Sequence, residues 1–156
     1  MNANNFTSKA LEALSGAQQE AFNNNHPQLE TIHMLKGMLD ADQDSLPFIL
    51  DKAGVNRNIL LGKVEERLKK FPKVSGNTAD LVPSSAFGKM LLQANKLIKE
   101  FDDSYVSIEG LLLALLTIND DTSKRVKEKG LEEKKLRQDI LELLRGSKVS
   151  EQSADA

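Results

Sequence analysis

VSIEGLLLALL, Val106 to Leu116, is the longest near-continuous apolar run in the chain, and its reading decides the fold. Leucines fall on nearly every side of the helix this stretch would form, so the helix is enclosed by other elements and is not amphipathic. Ser107 stands where an N-cap belongs, and Val106 before it is placed to staple onto Leu111. The run is well short of the roughly 20 apolar residues that cross a bilayer, and Asn119, Asp120 and Asp121 follow it closely.

The same helix occurs a second time. A displacement of 77 residues lays Leu29–Leu39 on Val106–Leu116, and pairs Thr7 with Ser84, Ala10 with Phe87, Leu14 with Leu91, Ala17 with Ala94 and Ala21 with Ile98. One residue fewer, a displacement of 76, then pairs Gly54 with Gly130, Leu60 with Leu136, Val64 with Ile140 and Leu68 with Leu144. The pattern is a repeat over the whole length. It predicts an all-α fold in which two copies of a four-helix unit, related by a pseudo-twofold, share one domain over residues 1–146.

Composition narrows the functional classes. With 40% hydrophobic and 28% charged residues among 156, the chain can bury a core of ordinary size. A net charge of −2, no dense Lys/Arg block and only 4% aromatics argue against nucleic acid as a partner. The absence of cysteine removes disulfide and thiolate chemistry, and the polar start MNANNFTSKA lacks a signal segment, so a cytoplasmic protein with no membrane partner is expected.

Taken in order, Thr7 caps a first helix whose inward face is Ala10, Leu14, Ala17 and Ala21; such small residues allow a neighbour to approach closely. Phe6 before the cap can pack on Leu11. A second helix spans about Glu30 to Asp40, a third about Pro47 to Lys52, and a fourth follows the Gly54 stop and the Asn56 cap. The first repeat thus covers about residues 6–70, and FPKVSGNTADLVP, residues 71–83, links it to the second, about 84–146. Helices are expected there near Ser85–Phe101, Ile108–Asn119, Thr122–Lys129 and Glu133–Arg145, and residues 147–156 are too polar to fold, reading as a disordered tail or tether.

The duplicated unit, the initial Phe6-Thr7, the Leu-x-x-x-His-Met-Leu second helix ending in Leu35, the FPKVSG linker and the Val82-Pro83-Ser84 restart together resemble the N-terminal domain of the ClpB disaggregases. The resemblance covers Phe6 to Gly146. It implies a mobile module that engages unfolded or aggregated polypeptide above a hexameric ATP-driven ring, with a DnaK-type chaperone as a further partner through other parts of the full-length protein. No G-x-x-x-x-G-K-[ST] phosphate loop is present, so ATP and Mg are expected in ATPase modules outside these residues, and this stretch is expected to be a binder with no cofactor of its own and no enzymatic activity. The alternative within the architecture is a docking module for an adaptor of a ClpA- or ClpC-type protease ring.

The resemblance points to Thr7, Asp103 and Glu109 as substrate-handling positions. Each also has a plain structural use: Thr7 as a cap, Glu109 as a carboxylate favoured in a first helical turn, Asp103 as a turn residue. The acids occur in one copy only, since Asp103 falls on His26 and Glu109 on Ile32. ClpC-type relatives that read phosphoarginine carry a carboxylate in both copies, so recognition of phosphoarginine is not expected here. An apolar groove with an acidic rim suits unfolded polypeptide, and Phe6, Leu81 and Val82 are candidates for it, with packing as the competing use of each. Glu30-x-x-His33 has the spacing of a di-metal bundle, but its mate, Ser107-x-x-Gly110, offers no ligands. A core His33 bonded to loop backbone is expected instead of a metal.

Overall fold

Most of the described helices begin where a side-chain oxygen satisfies a free backbone N–H. In the computed structural model, which describes residues 3–74, 81–102 and 104–144, the first helix of each repeat is capped by mated residues. Thr7 Oγ1 accepts from the Ala10 amide at the start of α1 (Ser8–Asn23), and Ser84 Oγ accepts from the Phe87 amide at the start of α5 (Ser85–Glu100), both at 3.1 Å. The rest of the first repeat is β1 (Gln28–Leu29), α2 (Thr31–Ala41), α3 (Ser45–Lys52) and α4 (Arg57–Lys69). The second continues from β2 (Val82–Pro83) and α5 to α6 (Ile108–Thr117), α7 (Asp121–Glu128) and α8 (Glu133–Leu144).

Helix α6 is the Val106–Leu116 run, capped by Ser107 Oγ accepting from Gly110 N, and its residues from Leu111 to Leu116 are entirely buried. α1 and α2 meet at unusually short range because their facing residues are small. A Cβ placed on Gly37 would lie 2.2 Å from the Ala13 carbonyl oxygen, so glycine is required there by the approach of α1.

Two short backbone bridges join the repeats, and they are mates of one another. Phe6 bridges Val106 in parallel, with Thr7 N donating to Val106 O at 2.9 Å. Leu29 pairs with Pro83 in the parallel β1–β2 ladder, and Ser84 N donates to Leu29 O, also at 2.9 Å. The segment before the first helix of each repeat is therefore held by the segment before the second helix of the other, which is the pseudo-twofold written in hydrogen bonds.

One boundary differs from the sequence expectation. α3 starts at Ser45, two residues before Pro47, because Asp42 caps it from upstream: its Oδ1 accepts from the amides of Asp44 and Ser45, and its Oδ2 from Ser45 Oγ. Pro47 is then the third helical residue, where its missing N–H still costs no helical bond. The expected tail, 147–156, lies outside the described residues, as does part of the linker.

Candidate functional site

The crossing of the two repeats buries Phe6, Thr7 and Glu109 of the residues singled out above. Phe6 and Thr7 have no exposed surface, and Glu109 is 2% exposed. Phe6 belongs to the hydrophobic core, so its expected place in a surface groove gives way to packing: the bridge to Val106 draws its ring inward. Thr7 is spent on its cap and its backbone bond to Val106. Of the linker candidates, Val82 is 57% exposed and Leu81 half-buried. Asp103 lies outside the described residues.

Glu109 is the second residue of α6, where the helix dipole favours an anion. Burial wins nonetheless. Desolvation pushes its pKa up to about 7, assisted by the charge of Asp42; the hydroxyls of Ser45 and Ser107 pull the other way. Neither hydroxyl closes a bond on it: Ser45 Oγ donates to Asp42, and both Glu109 oxygens are left without a partner. Lys9, on α1, approaches Asp42 Oδ1 at 3.9 Å and Asp44 Oδ2 at 3.6 Å. The result is a buried pair of acids, Asp42 and Glu109, where the starts of α1, α3 and α6 meet.

A second polar cluster was legible only in outline. His33 Nδ1 accepts from the Glu30 amide at 2.8 Å, so its proton sits on Nε2, which faces His26 Nδ1 at 2.8 Å. The proton of His26 is thereby assigned to its Nε2. Both imidazoles are held neutral: desolvation foremost, with repulsion between the two rings, lowers the His33 pKa to about 4, and desolvation together with Lys73 lowers that of His26. Phe71 packs against both rings, 5.6 Å from His26 and 6.0 Å from His33. This is the backbone-bonded core histidine expected above, and it anchors the start of the linker. No group of three or more His, Cys, Asp or Glu suited to a metal occurs among the described residues.

Comparison with known proteins decides the kinship. Residues 5–129 match the family model described as the Clp repeat (R) N-terminal domain. The chain belongs to that family. This Clp N-terminal domain is 36% identical over 155 residues to the chaperone protein ClpB of Bacteroides thetaiotaomicron and 35% identical over 156 to that of Rickettsia bellii, in each case over 99% of the chain. It spans only 18% of the length of those relatives. The crystal structure of the Hsp104 N-terminal domain from Candida albicans superposes with a TM-score of 0.84 at 26% identity, covering 98% of this chain and all of that one. A ClpV N-domain solved in complex with a VipB peptide shares the fold, with a TM-score of 0.71 at 18% identity.

Within the Clp fold, the acid pair and the histidine pair are both buried where elements meet. What this domain offers a partner is its surface. Ile59 and Leu92, each 61% exposed, and Val82 are the most exposed of its large apolar side chains among the described residues.

Proposed function

We propose that this chain is the substrate-engaging N-terminal domain of a ClpB-type ATP-dependent disaggregase, binding unfolded or aggregated polypeptide weakly before a separate ATPase ring threads it. The observation that carries this reading is similarity to ClpB over 99% of the chain while spanning 18% of the relative. Exposed apolar residues spread over several elements support it, because scattered aliphatic contacts hold many sequences loosely and none tightly. In this reading Thr7 and Glu109 act by keeping the repeat crossing in shape, since both are buried, and Asp103 is the position left to meet substrate directly.

The test is a two-dimensional NMR titration of the chain with a reduced, thiol-capped, permanently unfolded protein. The expected result is fast-exchange shifts near Val82, Leu92 and residues 102–107, reduced in Asp103→Ala. A spectrum that does not respond would overturn the reading in favour of docking to a folded adaptor.

A further inference from the structure

The pseudo-twofold makes the molecule its own control, and one cleft fails to repeat. Between α4 and α7 lies a cleft of about 270 Å³ whose floor is Ile32, Leu35, Leu60, Val64 and Val126. At the 76-residue displacement the mated surface lies between α8 and α3, and the hollow described there, which includes the mates Ile49, Ala53, Leu136 and Asp139 in its lining, holds only about 10 Å³. Substitutions between mates, three of them from apolar to polar, accompany the opening. Leu46 and Ile49 of α3 become Thr122 and Arg125 of α7, and Leu143 of α8 becomes Arg67 of α4, so three apolar side chains that fill one side are polar on the other.

The ionic clasp over the filled side is missing as well. There Lys52 reaches Asp139 at 3.7 Å and Glu142 at 3.6 Å. In the open cleft the mates of those three residues are Glu128, Lys63 and Glu66, and the only ion pair among them is Lys63 with Glu66 at 4.0 Å, along one helix. The rim carries Lys63, Arg67, Lys70, Arg125 and Lys129 against Glu66 and Glu128, with Asp121 beside it engaging Arg67 and Arg125. An apolar floor under a cationic rim is complementary to a peptide that brings aliphatic side chains and carboxylates together.

We infer that the α4–α7 cleft docks an acidic, leucine- or isoleucine-bearing segment of a partner protein. The aliphatic side chain enters against Val64 and Val126, in the space that Leu46 and Ile49 of α3 fill on the mated side, and carboxylates lie along Lys63, Lys70 and Lys129. The interaction is independent of the sequence-tolerant engagement of unfolded chains proposed above, because it is read through charge.

The test titrates the ¹⁵N-labelled domain with a capped hexapeptide alternating aspartate and leucine, with the same peptide carrying lysine for aspartate, and with inorganic phosphate. Expected are shifts at Val64, Arg67, Val126 and Lys129 for the acidic peptide alone, with affinity falling several-fold between low salt and about 0.3 M salt. Lys63→Glu with Lys129→Glu lowers affinity at least tenfold, and Arg125→Ile, which restores the mated residue and fills the cleft, abolishes binding with thermal stability retained. Equal binding of the lysine peptide, equal shifts with phosphate, shifts outside the cleft, or undiminished binding by the charge-reversed variant would each overturn the inference. The response to unfolded protein is expected to survive in Arg125→Ile, so the two readings fail separately.

Discussion

Glu109 and the histidine pair give the fold opposite dependences on pH. Glu109 has its folded pKa raised to about 7 from 4.5, so the stability associated with its neutral form is complete below 4.5 and is lost as pH rises through 7. Glu109→Gln is therefore expected to be more stable than the parent at pH 8, by up to about 3 kcal/mol, and nearly equal to it at pH 4. Urea midpoints at the two pH values check this; a variant less stable at pH 8 would show that the charged form is welcome where it sits. His26 and His33 are lowered in the folded state, so their contribution is complete above 6.5 and is lost as pH falls towards 4. With Glu109 replaced, stability is expected to fall from pH 7 to pH 5, the slope that the carboxylate otherwise opposes.

At the scale of elements, two helical glycines separate packing from propensity. Gly62 in α4 has no atom within 4 Å of where a Cβ would be, so Gly62→Ala recovers helix propensity and is expected to stabilise by about 0.5–1 kcal/mol. Gly37→Ala gains the same propensity and loses far more. Its Cβ would press on the Ala13 carbonyl at 2.2 Å, and the rigid backbone of α1 cannot step aside, so a loss of 2 kcal/mol or more is expected from about the same chemical change. Thermal unfolding of the two variants decides it, and a harmless Gly37→Ala would mean that α1 and α2 are not locked together. The early start of α3 belongs to this scale too. Asp42 caps from two residues upstream of the usual position, a geometry that residue type alone does not announce.

For the whole molecule, the exchanged bridges tie the folding of each repeat to the other. Phe6 and Leu29 of the first half find backbone partners in Val106 and Pro83 of the second, and Lys52 of α3 pairs with Asp139 and Glu142 of α8. Residues 1–74 alone are expected to show no cooperative thermal transition by circular dichroism, since half the core and both bridges would be missing. A sharp transition in that fragment would make each repeat an independent unit.

Sequence by itself determined the helices, their caps and the duplication, because hydrophobic period, capping chemistry and glycine stops act within a few residues and leave their mark in order along the chain. Thr7, Asn56 and Ser107 were readable as caps for that reason, and all three accept a first-turn amide. Only the tertiary structure decided what the duplication had done with its side chains. Phe6 could serve a groove or the core and is sealed by a bridge to a residue a hundred positions away; Glu109 read as a first-turn acid favoured by the helix dipole and is buried near Asp42 and Ser45. The replacement of Leu46 and Ile49 by Thr122 and Arg125 was visible as text, but that it opens a cleft depends on which helix of the other repeat each one faces. Burial and desolvation are sums over neighbours distant in sequence, and those neighbours are assigned only when the two halves close on each other.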